Sequence, residues 1–225
     1  MNNVTAAMDK GGYPELARHV DELRQVLSHM PSPYAARIAR GGVTTVYAHT
    51  APECLVKLIE AAAAATKGGA TAAGATVCDI EPYSRAALML GMHDNQIRHP
   101  VEAIEVLDRG LEAWPSGADL SSEKGVALVQ LHRWGDALAA YETGLHSDDL
   151  DDLRHARLLR GEGYCLTELH RLDEAEAAYR QSLKLDPGHA GAQRELQYIA
   201  ALRTGGQPDT GDAQLTTSDK ARLPQ

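Results

Sequence analysis

The sequence contains no phenylalanine, and aromatic residues make up only 4% of its 225 residues. Alanine is used heavily within an apolar share of 44%. Sandwiches and barrels favour β-branched and aromatic side chains, whereas small side chains let helices approach one another closely. The composition therefore predicts an all-α fold built from packed helices.

Cysteine is also scarce. Cys54, Cys78 and Cys165 are widely spaced and form no CxxC motif. Their odd number and spacing indicate neither a disulfide framework nor a zinc site, so we expect buried free thiols in a reducing compartment. Long apolar runs are lacking too, since MNNVTAAMDKGG at the start has no signal-peptide core and AAAAA at 61–65 is too short for a bilayer. These features predict a soluble, cytoplasmic protein.

Positive charge is in deficit, and the formal net charge is −9. Most of the acidic excess lies between Ser84 and Arg203. Nucleic-acid binding depends on Lys and Arg that neutralise phosphates, so this class of function is disfavoured. GxGxxG, P-loop, GxSxG and HExxH motifs are missing as well. We therefore expect no enzyme activity, no metal and no cofactor.

Residues 1–67 are predicted to form a helical segment of unknown role. Pro14 can begin a helix, and an apolar stripe follows at helical spacing, comprising Leu16, Val20, Leu23 and Leu27. Residues 34–40 suit a short helix, and the β-branched run 43–50 is read as irregular or helical because a lone strand is unstable. A second helix runs from Pro52 to about residue 66. Residues 68–83 are predicted to be a flexible Gly/Ala-rich linker, and residues 204–225 a disordered tail.

A repeat dominates the rest of the chain. Gly91, Gly125 and Gly163 are separated by 34 and then 38 residues. The same offsets relate four further sets of residues: Ala103, Ala137 and Ala175; Leu107, Tyr141 and Tyr179; Leu111, Leu145 and Leu183; Pro115, Asp149 and Pro187. The extra four residues fall in the acidic stretch 146–155, which we predict to be a solvated loop. A period of this length is typical of a helical solenoid.

On these residues, units 84–117, 118–151 and 156–189 resemble tetratricopeptide repeats. The resemblance implies three pairs of antiparallel helices, with the glycine and alanine at the closest crossing. It implies that the large residue four positions after the alanine fills the space towards the next unit. The apolar stripe of residues 190–203 suits a capping helix. Ala87, Ser121 and Asp149 depart from the family pattern, and residues 1–83 resemble no known family.

The resemblance also implies a concave groove, lined by the first helix of each unit, that binds a peptide segment of a partner protein. The positions that would face it are Arg85, Leu88, Met92, Asn95, Gln96, Ser122, Val126, Val129, Gln130, Arg157, Arg160, Tyr164, Thr167 and Glu168. Arg157 and Arg160 make one end cationic, which predicts a partner with an acidic or carboxylate-bearing segment.

Several alternatives remain open. Residues 1–83 could occupy the groove, or could carry the site of an enzyme or regulatory subunit. The layout is similar to that of type III secretion chaperones, which hold apolar substrates. A clamp for a C-terminal carboxylate is disfavoured, because Leu88, Met92 and Gly161 stand at its positions and only Arg157 fits. His132 and His170 recur at one column and are predicted to be exposed turn residues. The oligomeric state is left undetermined.

Overall fold

The computed structural model describes residues 13–30, 37–40, 43–48, 51–67, 75–80, 82–147 and 150–204. Residues 1–12 of the predicted helical segment, part of the predicted linker, Asp149 and nearly all of the predicted tail lie outside these ranges. Among the described helices, none has both the length and the hydropathy that crossing a bilayer requires.

Seven helices form the solenoid. They are α4 (Tyr83–Gln96), α5 (Pro100–Ala113), α6 (Ala118–Gln130), α7 (Trp134–Leu145), α8 (Asp152–Glu168), α9 (Leu172–Leu185) and α10 (Ala190–Arg203). Each helix packs on the next along the chain, and the first helices α4, α6, α8 and α10 also contact one another in order. The helical-hairpin solenoid predicted from the repeat is confirmed.

Large side chains explain the repeated glycines. A Cβ at Gly91 would lie 2.5 Å from Leu107, and one at Gly125 would lie 2.5 Å from the ring of Tyr141. In both hairpins, the glycine of the first helix therefore packs against the large residue of the second helix. Tyr141 also lies against Gly161 of the next unit, so it fills the space between units as the resemblance implied. Gly costs about 1 kcal/mol of helix propensity, which this close packing offsets.

The four extra residues before the third unit extend a helix. The helix α8 has 17 residues, whereas α4 has 14 and α6 has 13. Asp151 caps it, because its side chain accepts a hydrogen bond of 2.7 Å from the backbone N–H of Arg154. The prediction that residues 146–155 form a loop is therefore wrong from Asp152 onward. The cap and a run of helix-compatible residues place the insertion inside the helix.

Two short helices cover the first face of the solenoid. They are α1 (Tyr13–Arg18) and α2 (Val20–Ser28), and they bury the predicted stripe residues Leu16, Leu23 and Leu27. Helix α2 packs on α4, and Arg109 Nη2 of α5 donates a 2.6 Å hydrogen bond to the carbonyl of Leu27. Helix α2 thus occupies the place that the second helix of a preceding unit would take.

A small sheet precedes the solenoid. Strands β1 (Arg37–Arg40) and β2 (Val43–Ala48) pair antiparallel, and β2 pairs in parallel with β3 (Ala75–Ile80). Helix α3 (Ala51–Lys67) connects β2 to β3 and packs on both. The predictions of a helix at 34–40, an irregular or helical 43–50 and a linker over 75–80 are wrong for these strands. Each strand is too short to signal its state alone, and pairing supplies the missing hydrogen bonds.

A disulfide joins Cys54 of α3 to Cys78 of β3, with their Cα atoms 5.7 Å apart. The prediction that these residues are free thiols is wrong, whereas Cys165 is free and buried as expected. Their separation of 24 residues gave no signal, because only the β2–α3–β3 crossover brings them together. Disulfides are typical of oxidising compartments, so the pair gives no support to the predicted reducing one.

Candidate peptide-binding groove

The inner face of the solenoid carries an apolar line. Met92, Val126 and Tyr164 stand at the same column of α4, α6 and α8, and each is half-buried. Tyr198 of α10 continues the line and is also half-buried. The sequence prediction missed Tyr198, although it lies 34 residues after Tyr164, which is the repeat period. The four side chains stand at one repeat position of four successive helices and are partly accessible, and we call them the apolar row.

Several predicted groove residues are buried and hold adjacent first helices together. Asn95 Nδ2 donates to the carbonyl of Glu123 at 2.9 Å and to its carboxylate at 3.1 Å. Gln130 Nε2 in turn donates to the carbonyl of Asn95 at 3.1 Å. These bonds fix α4 against α6, so Asn95 supports the groove from within.

Ser122, Val129 and Thr167 are likewise buried. The hydroxyl of Thr167 donates to the carbonyl of Gly163, 2.9 Å away in the same helix. A partner could therefore reach only the exposed or half-buried members of the predicted set, namely Arg85, Leu88, Met92, Gln96, Val126, Gln130, Arg157, Arg160, Tyr164 and Glu168.

The predicted cationic end of the groove is neutralised within the chain. Arg157 pairs with Asp119 of α6, and Arg154 Nε reaches the same carboxylate at 3.1 Å. Arg160 Nη1 lies 3.2 Å from the carboxylate of Asp186. The sequence prediction missed Asp119, although it shares a column with Arg85 and Arg157. The carboxylates that a partner was expected to supply are thus present in the protein itself.

The other end of the groove is acidic and aromatic. Tyr164 and Glu168 lie one turn apart on α8, and Glu195 and Tyr198 lie one turn apart on α10. Burial, and then the charge of Glu168, raise the pKa of Glu195, while burial and both glutamates raise the pKa of Tyr164 to about 12. This clustering of negative charge next to two aromatic rings would favour a cationic group of a partner.

The turns inside the hairpins have a shared geometry. Arg98, His132 and His170 occupy one column, and their φ angles are 62°, 56° and 57°. In the second turn, the N–H of Arg133 bonds to the carbonyl of Leu128, and that of His132 to Val129, which is a Schellman motif. Both histidines are exposed as predicted. No group of three metal-ligating side chains occurs in the described ranges.

Fold and groove define a class: a short solenoid of helical hairpins whose first helices line an inner surface. The profile of the tetratricopeptide repeat family matches residues 88–142 and 122–190. Residues 88–190 of the chain therefore carry tetratricopeptide repeats.

Solved structures share this architecture. The first tetratricopeptide domain of human RPAP3 aligns with a TM-score of 0.51 at 20% identity, covering 55% of this chain and 94% of that domain. The first such domain of Spaghetti (RPAP3), bound to the HSP90 peptide SRMEEVD, gives 0.51 at 20% identity over 54% and 94%. The crystal structure of MamA gives 0.50 at 20% over 56% and 71%. A search of curated proteins finds no match.

Proposed function

We propose that the protein is an interaction adaptor that binds a segment of a partner protein on the apolar row. The row supports this proposal because Met92, Val126, Tyr164 and Tyr198 remain partly accessible on four successive first helices. Burying such side chains against a partner yields about 25 cal/mol per Å² of apolar area, before the entropic costs of association.

The described N-terminal elements leave this surface open. Helices α1 and α2 pack on α4 at the end of the solenoid, and α3 packs on the sheet. Neither region runs along α6 or α8. For these parts of the chain, a partner in the groove is therefore a better hypothesis than occupation by residues 1–83.

We expect the partner segment to combine apolar residues with a basic one. The apolar residues would lie on the apolar row, and the basic one would lie between Glu168 and Glu195 beside Tyr164. Burial, and then repulsion from Glu168, raise the pKa of Glu195, and a cation there would offset the repulsion. A secretion-type chaperone for an apolar substrate is a special case of the same function.

An acidic partner segment is the second candidate, because the RPAP3 domain named above holds the acidic peptide SRMEEVD. In this chain such a segment would have to displace Asp119 from Arg157. Substitution Asp119→Asn should therefore strengthen binding of SRMEEVD if this candidate is right. Equal affinity of wild type and the Asp119→Asn variant for SRMEEVD, or no detectable binding by either of them, would contradict this candidate.

Selection of random phage-displayed peptides on the full chain tests the adaptor proposal. We expect enriched peptides with apolar residues and a Lys or Arg, and a loss of affinity of tenfold or more with Val126→Glu, about 1.4 kcal/mol. Val101→Glu is the matched control, because Val101 is 55% exposed on α5, outside the groove. Circular dichroism checks that both variants keep their helices. No enrichment, or an equal loss with the control, would contradict the proposal.

For the enzyme alternative, Cys54 offers no free thiol as a nucleophile, because it is held in the disulfide with Cys78. The cytoplasmic location remains a prediction, which the state of this disulfide in the cell would test.

A further inference from the structure

Helix α3 exposes an apolar surface. Leu55, Val56 and Ile59 are 61%, 53% and 59% exposed, and Ala62 and Ala63 are also exposed. On the inner side, Cys54 is bonded to β3, and Leu58 and Ala61 are half-buried. An amphipathic helix normally presents charged residues to water, so this surface calls for a covering partner.

The contacts of Lys57 show which flank of α3 is apolar. Lys57 Nζ donates a 2.5 Å hydrogen bond to the carbonyl of Tyr47 on β2 and pairs with Glu53 at 2.8 Å. At 3.6 residues per turn, Leu55, Ile59 and Ala62 project about half a turn away from Lys57. The polar flank of α3 therefore faces the β2 side, and the apolar flank lies above the outer edge of β3.

Strand β3 is itself an edge of the described sheet, whose order is β1-β2-β3. The edge of a sheet is a template for pairing with another strand. The edge and the apolar flank of α3 lie on the same side of this small domain. One partner could cover both at once.

We propose that this partner is a second copy of the chain, and that two copies form a two-fold dimer in which β3 pairs antiparallel with β3 and α3 packs on α3. Neighbouring strands lie about 4.8 Å apart, so α3, which spans β2 and β3, lies roughly 2.4 Å inside β3. The two-fold axis would lie roughly 2.4 Å outside β3. The two helix axes would then be about 10 Å apart, the spacing at which helices pack.

The flank of α3 beside β3 carries little charge, and its area makes the strand pairing necessary. The chain carries a net charge of −9, which opposes self-association through most surfaces. Among the exposed residues from Leu55 to Ala63, only Glu60 is charged, and it lies on the flank away from β3. On the flank beside β3, Leu55 and Ile59 expose roughly 200 Å² per copy, which is too little for a stable interface alone, so the strand pairing is an essential part of it.

Size-exclusion chromatography with light scattering of the full chain tests the dimer. We expect wild type to have twice the chain mass of 24.2 kDa, and the double variant Leu55→Glu/Ile59→Glu to have 24.2 kDa. The matched control is Val101→Glu/Leu153→Glu, because these residues are 55% and 68% exposed on the solenoid. The control should remain a dimer.

Three results would overturn the proposal: a monomeric wild type up to hundreds of micromolar, a dimeric Leu55→Glu/Ile59→Glu variant, or a monomeric control. If the double variant loses helical circular dichroism, Ala62→Arg on the same flank replaces it and is judged by the same masses. Amide hydrogen exchange tests the strand pairing separately. Protection of residues 75–80 should rise with chain concentration in wild type, and equal protection at all concentrations would contradict β3 pairing.

Discussion

The ring of Tyr141 provides a sharp test of how the repeat is packed. It is 2% exposed and lies between Gly125 of its own unit and Gly161 of the next. A Cβ at Gly125 would lie 2.5 Å from Cζ of the ring, and a Cβ at Gly161 would lie closer still. Because both sides are closed, the ring has no room to move away from an added methyl group.

Substitution Gly161→Ala should therefore destabilise the solenoid. Alanine gains about 1 kcal/mol of helix propensity over glycine, but overpacking a closed site costs up to about 3 kcal/mol. We expect a net loss of about 2 kcal/mol in the free energy of unfolding. Gly135→Ala is the control, since nothing lies within 4 Å of its added Cβ, and it should gain up to about 1 kcal/mol.

Urea unfolding followed by tryptophan fluorescence measures both effects. The only two tryptophans, Trp114 and Trp134, lie in the solenoid, so the signal excludes the sheet. In a Tyr141→Leu background the cost of Gly161→Ala should shrink, because the ring that it meets is gone. A stabilising Gly161→Ala, or an unchanged cost in that background, would refute this account of the glycines.

Three further predictions concern a turn, the disulfide and a half-buried acid. His132→Gly should stabilise the chain by about 1 kcal/mol in thermal unfolding, because its φ of 56° suits glycine, whereas His146→Gly, at φ −92°, should not. Alkylation of the denatured, unreduced protein should modify one cysteine, and all three after reduction. Loss of the Cys54–Cys78 bond should lower the free energy of unfolding of the sheet by about 3 kcal/mol. Modification of all three cysteines without reduction would exclude the bond. Glu195→Gln should raise the urea midpoint at pH 7 but not below pH 4.5, since the raised pKa of Glu195 makes its ionisation costly as pH rises. If the Glu195→Gln variant and wild type had equal urea midpoints at both pH values, this last effect would be contradicted.

The sequence alone was enough to predict the solenoid. Its helices depend on patterns that lie within about 34 residues, and each glycine meets a large side chain of its own hairpin. Such local and repeated constraints are visible in one sequence. The capping helix followed from the apolar stripe of residues 190–203, and the exposed turn histidines from one column of the repeat.

The sheet and the disulfide were decided by the tertiary structure. Residues 37–40, 43–48 and 75–80 are ambiguous by themselves, and they become strands only because they pair across the α3 crossover. That pairing brings Cys54 and Cys78 together and turns the apolar flank of α3 outward. No spacing or motif in the sequence predicts this strand pairing.

The groove was predicted from the sequence only in part. The resemblance to tetratricopeptide repeats implied that the first helices line it, and the apolar row follows from their shared column once Tyr198 is included. Which of those residues a partner could reach was decided by packing between helices, which buries Asn95 and Thr167. Packing between helices also decided the charge of the groove, because Asp119 and Arg157 lie on different helices and meet only when α6 and α8 pack together. A column fixes the helix face on which a side chain lies, whereas its exposure and ionic partners depend on the neighbouring helix.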